Sequence, residues 1–224
     1  VYNPPHFRED RPAVLHELIR EHGLATLVTA GPDGLVADHI PMLVDPEPAP
    51  LGTLRGHVAR ANPVWRALGR GAPALAVFHG PQGYVSPAWY PSKAEGGRVV
   101  PTWNYVVVHA HGVLRGVEDR DWLRALVERL TDRHEGGRPD RWRLSDAPAD
   151  FLERQLGAIV GLELAIGRLE GKWKLSQNRA PEDRQGVVRA LRAAGGAAAA
   201  LAALVETGGA PRAAGAAPEG GGPA

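Results

Sequence analysis

His109 and His111 stand two residues apart in a β-branched run, so on a strand their imidazoles share one face with Tyr105, Val107 and Val113. Two imidazoles on one face could begin a divalent-metal or haem site. A third ligand would have to come from His39, His57 or His79, and spacing alone brings none of them near, so the sequence assigns no metal. Arg55 and His57 repeat the two-residue spacing, with Leu54, Gly56 and Val58 on the opposite face. Their run leads into Asn62-Pro63, an N-cap and first-turn pair whose free N–H groups face the strand's end. A guanidinium, an imidazole and a helix N-terminus together suit a phosphate. The same residues equally suit a surface ion pair for Arg55 and a plain cap for Asn62.

Other familiar chemistries lack their residues. No G-x-G-x-x-G follows a strand, no G-x-S-x-G elbow exists and no H-E-x-x-H occurs. Gly167–Lys172 has the wrong glycine spacing for a phosphate loop, and Trp173 stands where such a loop needs Ser or Thr. The 224 residues include no cysteine, which removes disulfides, thiolate ligands and cysteine nucleophiles together. With 26 basic and 25 acidic side chains, the chain lacks the basic excess of a dedicated DNA-binding domain. No apolar run is long enough to span a bilayer, and no charged segment followed by an apolar one opens the chain. A cytoplasmic protein is expected.

The elements that must position these residues follow from periodicity and punctuation. A helix is predicted over 10–22, capped by Asp10, begun by Pro12, with Val14, Leu15, Leu18 and Ile19 as one apolar stripe, and ended by a left-handed Gly23. Leu24–Ala30 and Leu35–Val44 flank Gly31-Pro32-Asp33-Gly34 and read as a hairpin. Gly52–Ala59 and Pro73–His79 read as strands, separated by a short helix from Asn62 to Leu68. Gly80–Pro101 reads as a long loop rich in aromatic residues, the length that usually carries function. Thr102–Glu118 is the longest β-like run, and Asp119 caps a helix to His134. A short helix at 146–155, a strand at Ile159–Leu169, a polar-aromatic segment at Gly171–Asn178 and a helix at Pro181–Leu191 complete the core. This order lacks strict βαβ alternation and predicts a mainly β fold, an antiparallel barrel with peripheral α helices. One domain over 1–192 is expected. An Ala/Gly/Pro-rich tail over 193–224 follows, helical to about Val205 and too poor in apolar residues to fold beyond it.

Three segments carry a family resemblance: Ser86-Pro87-Ala88-Trp89-Tyr90-Pro91-Ser92-Lys93, Val100-Pro101-Thr102-Trp103-Asn104-Tyr105 and Gly171-Lys172-Trp173-Lys174-Leu175-Ser176-Gln177-Asn178. With Tyr2-Asn3-Pro4-Pro5-His6-Phe7 and Asp38-His39-Ile40-Pro41, they resemble the PaiB family of FMN-binding negative transcriptional regulators, in order from Tyr2 to Leu191. The resemblance implies a split β-barrel of the pyridoxamine-phosphate-oxidase type that binds FMN between the subunits of a homodimer. It places Arg55, His57, Ala59 and Asn62 near the FMN phosphate and His39, Ile40, Pro41 and Met42 beside the isoalloxazine. Trp103, Asn104 and Tyr105 would open the strand lining the pocket. Trp89, Tyr90, Trp103 or Tyr105 could cover a flavin face, Asn104, Ser176, Gln177 or Asn178 could bond its polar edge, and Lys93, Lys172 or Lys174 could meet negative charge on reduced flavin or bind a second anion. Any one of Trp89, Trp103 and Trp173 reads better as a packing residue and each amide could close a loop, while the cluster as a whole reads as a site.

Two function classes compete. A flavin-binding regulator follows from the family, although Arg133–Arg143, the richest basic segment, is balanced by Asp132, Glu135 and Asp140, so direct DNA binding has no charge support. A flavin-dependent oxidoreductase passing electrons between NAD(P)H and a small acceptor follows from the cofactor, with no catalytic residue singled out. Haem binding through His109 or His111 is a third reading.

Overall fold

The computed structural model describes residues 1–31, 34–48 and 50–209. Pro32 and Asp33 of the expected turn and residues 210–224 of the expected tail lie outside the described residues. The chain divides into two units. The first comprises Val1–Asn3, Arg8–Gly80 and Val107–Lys172; the second comprises Pro4–Phe7, Pro81–Val106 and the chain from Trp173 on.

Seven strands form one sheet: β1 (Arg8–Glu9), β2 (Leu24–Gly31), β3 (Gly34–Asp45), β4 (Thr53–Ala59), β5 (Ala72–Val85), β6 (Thr102–Val117) and β7 (Ile159–Lys174). Their order is β1-β7-β4-β3-β2-β5-β6, and a further β6–β7 pairing closes the sheet on itself. The β1–β7, β2–β3, β2–β5, β3–β4 and β4–β7 ladders are antiparallel. Alternation sets the core of the first unit: Ala25, Leu27, Ile40, Met42, Leu54, Val58, Leu162 and Leu164 are buried.

Helix α1 (Pro12–Glu21) buries Leu15, Leu18 and Ile19, as its apolar stripe predicts. Its ends differ from expectation. Arg11 rather than Asp10 occupies the N-cap, without a side-chain bond, and the helix closes on His22. Gly23 lies outside the left-handed region; a Cβ there would stand 3.2 Å from the Met42 carbonyl oxygen, so it permits close backbone approach instead. Helix α2 (Arg120–Glu135) starts on the predicted cap, Asp119, which accepts from the Trp122 N–H at 2.8 Å. The Trp122 ring seats on Gly161, where a Cβ would come within 2.2 Å of it. A short α3 (Ala149–Gly157) completes the first unit.

Two strands outrun their sequence signals. β5 continues to Val85, into the expected loop, and β7 continues to Lys174. For β7 the reason is a partner from the other end of the chain: Arg8 pairs with Lys172 and Glu9 with Gly171. No local pattern announces such a ladder.

In the second unit the expected long loop becomes two 3-10 turns, Pro87–Trp89 and Pro91–Glu95. Asp183 of α4 (Pro181–Ala194) accepts from the Ser92 N–H at 3.1 Å and from its hydroxyl at 2.7 Å, fixing the second turn. The alanine-rich segment forms α5 (Ala197–Thr207), with Leu201, Ala202 and Val205 buried, so ordered packing in this unit continues past 192. Among the described residues no helix is long and apolar enough to cross a membrane.

Candidate functional site

On β3 and β4 of the first unit, alternation sends Ile40, Met42, Leu54 and Val58 inward and Arg55 and His57 to the other face. Arg55 is occupied there. Its Nε donates to Glu163 Oε2 at 2.9 Å and its Nη1 to Asp45 Oδ2 at 2.6 Å. Arg115 donates to Glu163 Oε1 at 2.5 Å, and Arg129 of α2 pairs with Asp45. Burial works to raise the Glu163 pKa, but Arg115 and Arg55 outweigh it and hold the carboxyl below the usual range. Arg55 therefore sits in an ion-pair network, the alternative that its sequence context also allowed.

His57 meets a different environment. It lines a cavity of about 410 Å³ with Pro41, Val127, Leu130, Thr131, His134 and Trp142, largely beneath α2. Burial lowers the imidazole pKa, favouring the neutral ring, and its Nδ1 is buried with no hydrogen-bond partner among the described residues. Asn62 behaves as the predicted cap: its Oδ1 accepts from the Val64 N–H at 2.9 Å while its Nδ2 donates to Asp38 Oδ1 at 2.8 Å. On the inward face of β3, opposite Leu27, Asp38 Oδ2 is also buried without a partner among the described residues. Pro41 is exposed and also borders a neighbouring cavity of about 500 Å³ lined by Arg20, Leu24, Leu43, Arg129 and Arg133. His39 and Ala59 are exposed on their strands. Arg60, which no sequence signal singled out, follows β4 with Nη1 donating to Glu118 at 2.6 Å and Nε to the Gly157 carbonyl at 3.0 Å.

The second unit gathers another set of the expected residues. Asn104 and Ser176, both buried, exchange hydrogen bonds: Nδ2 donates to Oγ at 2.9 Å and Oγ donates to Oδ1 at 3.3 Å. Ser176 takes a left-handed backbone, φ 62°, to reach that position. Lys174 donates to Thr102 Oγ1 at 2.5 Å and to the Trp103 carbonyl at 2.7 Å. The space among Phe7, Thr102, Asn104, Lys174, Ser176 and Asn178 is only about 40 Å³. Gln177 closes its own loop, accepting from Leu175 N–H at 2.7 Å and donating to the Trp173 carbonyl at 2.5 Å. Trp103 is half exposed and meets Tyr84 edge to face at 6.3 Å, while Trp89 is half-buried, its carbonyl closely approached by Gly186. Lys174 lies 5.9 Å from the Tyr105 ring centre.

Lys172 belongs to the first unit, where it is buried and donates to the Tyr2 carbonyl at 2.8 Å. His109 and His111 share a face as predicted, and the group that joins them is Glu170 of β7, not another histidine. Alternation within β6 is legible in the sequence; the β6–β7 register is not.

Three comparisons bear on this geometry. Residues 1–168 match the family described as "Putative FMN-binding domain". An uncharacterised protein of Emericella nidulans is 34% identical over 211 residues, covering 79% of this chain and 84% of that protein. The protease synthase and sporulation protein PAI 2 of Bacillus subtilis is 28% identical, covering 86% of this chain and 89% of its own length. Among solved structures, the FAD and heme binding protein of Mycobacterium smegmatis superposes with a TM-score of 0.57 at 25% identity, over 84% of this chain and 80% of that one. The fold is the split barrel that the resemblance implied.

Proposed function

Because the chain belongs to the FMN-binding domain family, we propose that its first unit holds FMN along β3 and β4 and serves a PaiB-type regulatory role without touching DNA directly. The observation that carries the placement is the orphaned buried atom His57 Nδ1, whose ring lines the cavity with Pro41 and Trp142. Such atoms call for a partner, and of the six among the described residues His57 Nδ1 is the one beside the cavity of about 410 Å³. FMN has the complementary chemistry: ring N–H and carbonyl groups, ribityl hydroxyls and a flat apolar ring. Neutral His57 would bond the polar edge. Pro41 and Trp142 offer apolar surface, with the exposed His39 and Ala59 on the same two strands. When bound, the cofactor supplies one- and two-electron redox chemistry.

The indirect regulatory role rests on charge. In the segment richest in arginine, Arg138 pairs with Glu135 and Arg141 with Asp132, and Arg133 donates to the Arg20 carbonyl at 2.6 Å. Cations already matched by carboxylates release few counterions on meeting DNA. A homodimer belongs to this reading: Leu35 and Val113, on β3 and β6, are large apolar residues left exposed in the first unit.

The purified protein is expected to carry or take up FMN, to run as a dimer in light scattering, and to form no salt-sensitive complex with promoter fragments. His57→Ala should weaken FMN binding about tenfold, the loss of roughly one hydrogen bond. A protein that stays colourless in excess FMN would overturn the cofactor assignment. FMN affinity unchanged in a folded His57→Ala variant would overturn the placement.

A second reading, a flavin-dependent oxidoreductase, draws on the two imidazoles, His57 and His134, that line one cavity; neutral His57 is a proton acceptor there. Anaerobic bleaching of the flavin absorbance by NADH or NADPH is its expected sign. Its absence with both reductants would remove this reading.

A further inference from the structure

The geometry points to a divalent transition-metal site in the first unit, formed by His109 and His111 of β6 and Glu170 of β7 and selective for ions of the zinc type. One ligand atom from each residue lies within 4.8 Å of the other two. His111 Nε2 and Glu170 Oε2 stand 3.1 Å apart. Metal bonds of about 2.0–2.2 Å put tetrahedral ligands roughly 3.3–3.5 Å from one another, so this edge is close to its bound length already. His109 reaches the remaining position by side-chain rotation, since the two rings share a face with centres 6.3 Å apart.

The backbone holds the edge in register. At Gly112, beside His111, a Cβ would stand 2.1 Å from the Ala165 carbonyl oxygen, so β6 and β7 touch where only glycine allows it. Arg168 takes the other carboxylate oxygen, Oε1, at 2.6 Å. A cation on the outer oxygen orients the carboxylate while leaving Oε2 to face the imidazoles.

The donor set decides the class of ion. Two imidazoles and one carboxylate without thiolate suit Zn²⁺, Co²⁺, Ni²⁺ or Cu²⁺, whereas Mg²⁺ and Ca²⁺ prefer oxygen alone. His111 and Glu170 keep 28% and 25% of their side-chain surface exposed. Three protein ligands with solvent access leave a coordination position for water, the pattern of an open site rather than a sealed structural one.

The test is titration of the metal-stripped full chain with Co²⁺, followed by visible absorption, with Zn²⁺ as competitor and calorimetry for stoichiometry. The expected result is one ion per chain, visible bands of a low-coordinate Co²⁺ displaced by Zn²⁺, and a higher melting temperature with Zn²⁺. His111→Ala should weaken binding at least about 100-fold and Glu170→Gln about tenfold, with His6→Ala, in the second unit, unchanged. Circular dichroism checks that each variant is folded; should His111→Ala misfold, the isosteric Glu170→Gln decides. Unchanged affinity in Glu170→Gln and in a folded His109→Ala/His111→Ala double variant would overturn the site, as would no Co²⁺ bands at millimolar ion. A Soret band on haem addition that His111→Ala abolishes, in a protein taking up neither ion, would also overturn it.

Discussion

Asn104 and Ser176 in the second unit satisfy each other in a space of about 40 Å³, whereas His57 in the first unit lines about 410 Å³ with its Nδ1 unpartnered. Both regions are built from residues whose types suit a flavin's polar edge. The difference is how much hydrogen-bonding capacity folding has already used. A buried pair that is complete contributes to stability and has little left for a ligand; an orphaned buried atom costs about 1–3 kcal/mol until something pairs with it. The same contrast occurs within the first unit, where Arg55 is consumed by Asp45 and Glu163 and Asp38 keeps one oxygen in reserve.

Five variants test this contrast. The largest effect is expected from Glu163→Ala, which leaves Arg55 and Arg115 without their shared carboxylate. Since both arginines keep some solvent, the loss should be about 2–3 kcal/mol, below that of a fully buried pair. The wild-type network should also weaken in acid. The folded pKa of Glu163 is below its unfolded value, so its stabilisation is complete above about 4.3, the ordinary glutamate value, and fades as pH falls through the folded pKa. Chemical denaturation across that range should show a flatter profile for Glu163→Gln.

Asn104→Ala comes next, stranding the Ser176 hydroxyl at a cost of about 2 kcal/mol, or roughly 4–8 °C in Tm for a chain of this size. FMN affinity should move less than about threefold, a bound set by the satisfied state of the pair. A flavin titration in which this variant loses binding while keeping its Tm would reverse the assignment of the two regions. His57→Ala should do the opposite, costing about tenfold in FMN affinity with a Tm change under about 2 °C, since it removes an atom already unpaired. The smallest effect is in pH. The depressed folded pKa of His57 means that the unfolded chain binds the proton more readily, so stability declines as pH drops below about 6.5. His57→Gln should remove that part of the slope, under about 1 kcal/mol; an unaltered slope would contradict the buried neutral imidazole.

Much of the frame was legible because it is local. The face-sharing of Arg55 with His57, the caps at Asn62 and Asp119 and the apolar stripe of α1 all follow from periods of two or about 3.6 residues and from short polar side chains near their own backbone. Errors arose where a distant partner intervened. Gly23 bears the shape of a left-handed terminus but serves an approach to Met42, and β7 outruns its own pattern because Arg8 and Glu9 pair with its end. Family strings marked Asn104, Ser176 and Gln177 for notice without telling a ligand contact from a loop closure.

Residue type and short spacing specify the strand faces, the caps at Asn62 and Asp119, the absence of cysteine chemistry and the family with its flavin. The tertiary structure alone decided which polar atoms found partners. Glu163 reaches Arg55, Glu170 reaches His111 and Ser176 reaches Asn104 across long stretches of chain, and a hydrogen bond forms or fails on distances no periodicity encodes. Folding spends the bonding capacity of most polar side chains, and what His57 and Asp38 retain could be known only after that sum was complete.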